Sequence, residues 1–238
     1  LNTQKDKILA TVSHELRTPL NGILGMIQVI KQKVKDQDIN HYLNICSHSG
    51  ALLLGLVNSI LDLNLIRANK LKLNPERIEF SKFLQDIIQL FEYQCNLKEI
   101  FIKADISPLF PTHITTDKGR LSQIFINLIG NALKFTSKGG ITVSAQVYNK
   151  DKDYLQLSVL DTGIGIQEKD KCKLFQIFGK IEHEESNTAV NHQGVGLGLT
   201  VSNSLVEILC DNKNLHGIDL PSEYGKGTKF SCLKKKNL

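Results

Sequence analysis

The residues whose types and spacing first suggest chemistry are His14, Glu15 and Thr18, in the stretch from Ser13 to Ile23 that reads SHELRTPLNGI. A neutral imidazole can act as a nucleophile near pH 7. A carboxylate beside it can accept its proton. A hydroxyl at i+4 shares the imidazole's helical face, with Arg17 less closely aligned. Pro19 has no N–H, so the carbonyl of Glu15 loses its helical partner and the helix should bend there. The stretch is therefore a polar, locally strained site on a helix.

A second set of residues lies far downstream. The run NLIGNALKFT covers Asn127 to Thr136. Asn127, Asn131 and Lys134 stand at i, i+4 and i+7, so they project from one side of a helix. Amide oxygens can ligate a hard cation such as Mg²⁺, which keeps waters and phosphate oxygens as its other ligands. Lys134 can meet phosphate as a point charge. The run DTGIGI, Asp161 to Ile166, places a carboxylate just after a strand and before a glycine turn. It can accept a hydrogen bond from the exocyclic amine of adenine. The run GVGLGL, Gly194 to Leu199, opens a helix with alternate glycines, so backbone N–H groups can close on phosphate oxygens. No GxxxxGK[ST] loop occurs, which excludes a P-loop enzyme, and without HRD and DFG signatures the chain does not match the Ser/Thr/Tyr kinase pattern.

Elements must hold these residues. Ile8, Val12, Leu16, Ile23, Ile27, Ile30 and Val34 recur at helical spacing and predict a helix over 5–34. A polar turn at 35–38 and a helix over 39–68, with Leu43, Leu52, Leu53, Leu56, Ile60, Leu63 and Ile66, complete an antiparallel hairpin. One hairpin cannot bury its whole apolar face; a second copy would make a four-helix bundle. The pattern changes between Ala68 and Pro75, which divides the chain into domains 1–70 and 71–238. In the second, 71–80 predicts a short strand leading into a helix capped by Ser81 and running to about 97. A strand at 101–106, a loop at Pro108 and Pro111, and a helix 118–135 capped by Asp117 follow. Strands are expected at 141–149, 154–161, 217–220 and 228–233, with a helix over 197–209. Residues 163–196 form a long irregular excursion, the length of a functional lid. Helices on one face of a mixed sheet make an α+β two-layer sandwich.

Bulk properties restrict the partners. The net charge is +5, and the only dense basic run is Lys234 to Lys236, which argues against a nucleic-acid binder. Five cysteines without a CxxC spacing point to reduced thiols in a cytoplasmic setting. No secretory signal occurs, and Ala51 to Ile66 is too short and too polar to span a bilayer. The chain starts at Leu1 directly in a helix and reads as an excised fragment, so any membrane anchor belongs to missing parts of the parent chain.

Taken together, these motifs resemble the catalytic core of sensor histidine kinases, closest in pattern to the hybrid type. SHELRTP matches the H-E-x-x-T/N-P phosphoacceptor box. NLIGNALKFT, DTGIGI, Phe175 with Phe178, and GVGLGL match the N, G1, F and G2 boxes of the ATP-binding domain, whose fold is shared with DNA gyrase and mismatch-repair ATPases. Gly227-Thr228 matches a final glycine-threonine pair. The resemblance covers nearly the whole chain. It implies an ATP-dependent protein-histidine kinase that is a homodimer and hands phosphate from His14 to the receiver domain of a response regulator, in cis or in trans. His14 would be the phosphoacceptor, Glu15 its general base, and Thr18 the residue that positions water in a phosphatase reaction. Asn131, assisted by Asn127, would ligate Mg²⁺. Lys134 would contact the phosphates of ATP and Phe135 would cover adenine. Asp161, with Thr228 nearby through water, would hold the adenine amine. Gly163, Gly165, Phe175, Gly194, Gly196 and Gly198 would shape the pocket and lid. His183 and His192 in the lid, and Cys210 to Asn214 in place of a small glycine turn, depart from the pattern. The rival readings are a non-catalytic nucleotide-binding dimerisation scaffold, and an ATPase or serine kinase on the same fold.

Overall fold

The computed structural model describes residues 2–34, 36–148, 154–176, 179, 196–209 and 217–235, with the backbone alone at 2–11, 13, 14, 37 and 48. The chain folds into two compact units, with the division near residue 72.

The first unit is a helical hairpin, α1 (Asn2–Lys33) and α2 (Gln37–Arg67). α1 runs through Pro19 without a break, so the proline interrupts one hydrogen bond and not the helix. The turn ends at Asp36, whose carboxylate accepts from the N–H groups of Asp38 (2.9 Å) and Ile39 (3.0 Å), satisfying two orphan donors of α2. Arg17 grips α2 directly. Its Nε (3.1 Å) and terminal nitrogen (2.8 Å) both donate to Asn58 Oδ1. Only Leu20, Val57 and Leu63 are buried apolar residues among the described side chains of the two hairpin helices. Ile23 is 57% exposed, Met26 65%, Tyr42 66% and Leu53 51%, so a single hairpin leaves much of its apolar surface in water. Residues Asp38–Arg67 are long and apolar enough to cross a membrane by length and composition (mean hydropathy 1.6). That window is wider than the Ala51–Ile66 stretch that stands out in the sequence. It also carries the buried Asp62 and the Asn58 that holds Arg17.

The second unit is a two-layer α/β sandwich. Its described elements are β1 (Glu76–Glu79), α3 (Phe80–Leu97), β2 (Phe101–Ile106), β3 (His113–Thr116), α4 (Lys118–Phe135), β4 (Gly140–Val147), β5 (Tyr154–Asp161), α5 (Glu168–Leu174), α6 (Gly198–Leu209), β6 (Ser222–Glu223) and β7 (Gly227–Lys235). The main sheet runs β2-β4-β5-β7-β6, with β2 parallel to β4 and the other pairs antiparallel. β1 and β3 form a separate antiparallel pair. Period-two burial in β4 (Ile141, Val143, Ala145) and β5 (Leu155, Leu157, Val159) marks one apolar face, onto which α4 packs. α6 packs on β7 and α3 on β2.

Several local expectations change. Ser81 is not the cap of α3. The helix starts at Phe80, Glu79 makes no capping bond, and the Phe80 N–H donates to the Thr112 carbonyl (3.0 Å). Strand β1 feeds straight into the helix, so the neighbouring chain segment supplies the acceptor. β3 occupies what the sequence presents as loop, and α5 lies inside the expected irregular excursion. The expected strand at 217–220 is only an isolated bridge at Asp219, and pairing resumes at Ser222. Pro221 between them has no N–H to give to a ladder. Asp117 does cap α4, accepting from Arg120 N–H at 3.0 Å.

Candidate active site

The period that buries Val159 also turns Asp161 inward, at the end of β5. Asp161 lies in register with Ile141 on β4 and Thr228 on β7, and Thr228 lies in register with Ser222 on β6. Paired residues point to the same face. Asp161 and Thr228 are therefore a polar strip at the rim of an apolar sheet face, only 4% and 5% exposed. Gly163 N–H donates to Asp161 Oδ1 at 2.8 Å. Burial pushes the Asp161 carboxyl above its ordinary value, and hydrogen bonds from the Gly163 and Thr228 backbones hold it partway back.

The glycines after Asp161 are required by close approach. A Cβ on Gly163 would meet the Phe135 carbonyl oxygen at 2.5 Å, and Gly165 has φ +68 with its α-carbon against the Glu223 carbonyl. Ile164 N–H donates to the Phe135 carbonyl at 3.3 Å. The turn after β5 is thereby joined to the end of α4.

On α4, Asn127 Nδ2 donates to Ser202 Oγ of α6 at 2.9 Å, and its Oδ1 lies against the Gly198 α-carbon, where any side chain would collide. Asn131 is half-buried and its side chain has no hydrogen-bond partner among the described residues. Lys134 Nζ stands 4.8 Å from the centroid of the half-exposed Phe135 ring. The last turn of α4 is tethered by Lys98, whose Nζ donates to the Leu133 carbonyl at 2.6 Å. This cation at the negative end of the helix steadies the turn that carries Lys134 and Phe135. Thr200 at the start of α6 donates to the carbonyls of Phe175 and Gln176, each at 3.1 Å. Gly196 has φ +75.

The described structure thus brings together the second-unit residues Asn127, Asn131, Lys134, Phe135, Asp161, Gly163, Gly165, Phe175, Gly198 and Thr228. Gly194, Phe178, His183, His192 and Cys210 to Asn214 lie outside the described residues. In the first unit Glu15 and Thr18 are exposed on α1, and the His14 side chain lies outside the described set. Sequence reasoning misses Ser202, Thr200, Lys98 and Ser222. Ser222 is within reach of pattern: Gly225 (φ +84) sits mid-turn between residues that pair as Ser222 with Thr228.

The family model for histidine kinase-, DNA gyrase B- and HSP90-like ATPases matches residues 116–237, and that for the His Kinase A (phospho-acceptor) domain matches 4–69. The chain belongs to the sensor histidine kinases. This histidine kinase core is 37% identical over 226 residues to the autoinducer 2 sensor kinase/phosphatase LuxQ of Vibrio cholerae, across 94% of this chain and 25% of LuxQ. It is 34% identical to the aerobic respiration control sensor protein ArcB of Escherichia coli, across 95% of this chain and 28% of ArcB. The kinase core therefore spans only about a quarter of the length of these relatives. Among solved structures, full-length ShkA in complex with AMPPNP superposes with a TM-score of 0.75 at 30% identity, over 97% of this chain and 46% of that one. The Acinetobacter baumannii histidine kinase AdeS shares the fold, with a TM-score of 0.63 over 94% of this chain and 98% of that one, at 24% identity.

Among the described residues no group of three or more His, Cys, Asp or Glu side chains could hold a metal ion. The Asn131 amide, half-buried without a partner among those residues, fits a single oxygen ligand to Mg²⁺. Asn127, with its nitrogen fixed on Ser202, leaves its oxygen as the remaining acceptor.

Proposed function

We propose that this core is an ATP-dependent protein-histidine kinase, with residues 1–70 as the dimerisation and histidine phosphotransfer domain and 71–238 as the ATP-binding domain. The observation that carries the reading is the meeting of the Asp161 turn with the end of α4. Ile164 N–H on the Phe135 carbonyl joins two motifs from distant parts of the chain into one cradle. In this reading Asp161 accepts from the adenine amine, Phe135 lies against the ring, and Lys134 meets phosphate. Asn131 with Asn127 would hold Mg²⁺, which supplies charge neutralisation at the phosphates.

Phosphoryl transfer needs placement more than covalent help from the protein. A ring nitrogen of His14 attacks the γ-phosphorus. A P–N bond forms as the bond to the bridging oxygen breaks, and ADP leaves with that oxygen. Glu15 takes the proton from the other ring nitrogen. The phosphoramidate then passes its phosphoryl group to an aspartate carboxylate of a response-regulator receiver domain. In the reverse role Thr18 orients water against a receiver phosphate. A non-catalytic scaffold would need none of the exposed Glu15 and Thr18 beside His14.

The test uses γ-labelled Mg-ATP on the 238-residue chain. Protein-bound label should be lost in acid and survive base, as a P–N bond requires. Label that survives acid would mean a serine or threonine ester and a different kinase; no label at all would favour the scaffold.

The exposed apolar residues of the hairpin support a homodimer, in which α1 and α2 of two chains form a four-helix bundle. Ile23 and Leu53 are then partly covered by the second copy. Changing both to Glu should convert a sedimenting species of two chains to one. A monomeric parent protein, or a double variant that stays dimeric, would refute this assembly. Cytoplasmic placement of this part of the chain, with any anchor elsewhere in the parent, completes the proposal.

A further inference from the structure

Ser222 has no part in the nucleotide reading, yet it links three parts of the cradle. Ile166 N–H, at the end of the Asp161 turn, donates to Ser222 Oγ at 2.9 Å. Ser222 Oγ reaches the Gly227 carbonyl at 3.0 Å and Thr228 Oγ1 at 3.0 Å. A serine hydroxyl has one hydrogen and two lone pairs. The carbonyl can only accept, so the serine hydrogen goes to Gly227. The amide can only donate, so it occupies one lone pair. The remaining contact is satisfied only if Thr228 donates. The opposite assignment would set a carbonyl oxygen against a hydroxyl lone pair.

Thr228 is 5% exposed, and its hydroxyl has no other hydrogen-bond partner among the described residues. Its single hydrogen is therefore committed to Ser222. Directly across the strand register stands Asp161, whose carboxylate offers oxygens. Resting on the nucleotide reading above, we infer that Ser222 is a specificity-determining residue: it orients the Thr228 hydroxyl so that the Asp161–Thr228 rim presents acceptors alone, and so selects a 6-amino purine over a 6-oxo purine. The amine of adenine donates to such a rim. A 6-oxo group brings lone pairs against lone pairs, and a site that leaves polar groups unpaired discriminates strongly.

Inosine diphosphate carries the 6-oxo group without a further exocyclic substituent on the ring, so calorimetric titration with Mg-ADP and Mg-IDP reads the preference. The wild-type chain should bind ADP more tightly. Ser222→Ala frees the Thr228 hydrogen to meet the 6-oxo group, and the ADP/IDP affinity ratio should fall by roughly tenfold, the worth of one hydrogen bond. Ser222→Thr, which keeps a hydroxyl, should restore the ratio. Thr228→Val tests the same point without disturbing Ser222's bond to Ile166: it removes both the acceptor for the amine and the lone pair set against the 6-oxo group, so it should weaken ADP and bind IDP at least as tightly as the wild type. A Ser222→Ala chain that loses both nucleotides by the same factor would show a structural role only and overturn the inference. So would a Thr228→Val chain that does the same. Wild-type protein that binds neither nucleotide would overturn the nucleotide reading as well, an outcome distinct from ADP binding with an unaltered ratio.

Discussion

His14→Gln should reduce acid-labile phosphoryl label to background while leaving Mg-ADP affinity unchanged. Glutamine keeps much of the size and hydrogen-bonding capacity of histidine, but its amide nitrogen lone pair is delocalised and does not attack phosphorus. The nucleotide cradle is assembled within the second unit, from α4, α6 and the β5–β7 rim. Loss of the acceptor therefore separates cleanly from loss of ATP binding. Two measurements on one protein make the separation visible: label incorporation, and ADP titration. Incorporation that persists in His14→Gln would move the phosphoacceptor to another residue. Incorporation and ADP binding lost together would mean that the substitution acts through the fold.

On the proposed reading, Asp161→Asn should cost ADP binding about a hundredfold, because a buried rim that receives the adenine amine would then present an amide N–H₂ or lose its charge-assisted bond. Its effect on stability runs the other way. Burial raises the Asp161 carboxyl above its unfolded value of 3.8. In the interval between the unfolded and the raised folded value, the native state binds more protons than the unfolded one, so stability falls as pH rises. The contribution of this group is fully present below the unfolded value and lost above the folded one. Asparagine, which carries no charge to bury, should flatten that part of the pH profile and leave the protein at least as resistant to urea at pH 7 as the parent. On the proposed reading the carboxylate at this position serves binding at the expense of folding. Urea titrations of both proteins between pH 4 and 7 check the slope, and calorimetry checks the binding. A variant that melts earlier at pH 7 and keeps its ADP affinity would contradict both halves.

Some of the local structure is legible in the sequence because its causes are local. The hairpin follows from apolar spacing, and the Asp117 cap needs only a carboxylate ahead of α4. β3 is not legible: its four residues lie between Pro111 and Asp117, and their partner β1 is more than thirty positions away. Ser81 looks like a cap by type, but the Phe80 N–H finds the Thr112 carbonyl instead. α5 is only seven residues long and gives no periodic signal. At Asp219 to Glu223 the chain pairs on both sides of Pro221, a register that depends on where β7 runs.

By itself the sequence determined the residue types of the chemistry, their order, and the amphipathic helices and alternating strands that carry them, since side-chain periodicity is a property of each segment alone. Only the tertiary structure decided which groups meet: Asn127 on Ser202, the Asp161 turn on the Phe135 carbonyl, and Ser222 on Thr228. Those contacts depend on sheet order and helix placement, which satisfy the buried polar groups of separate segments at once, and no single segment contains that information.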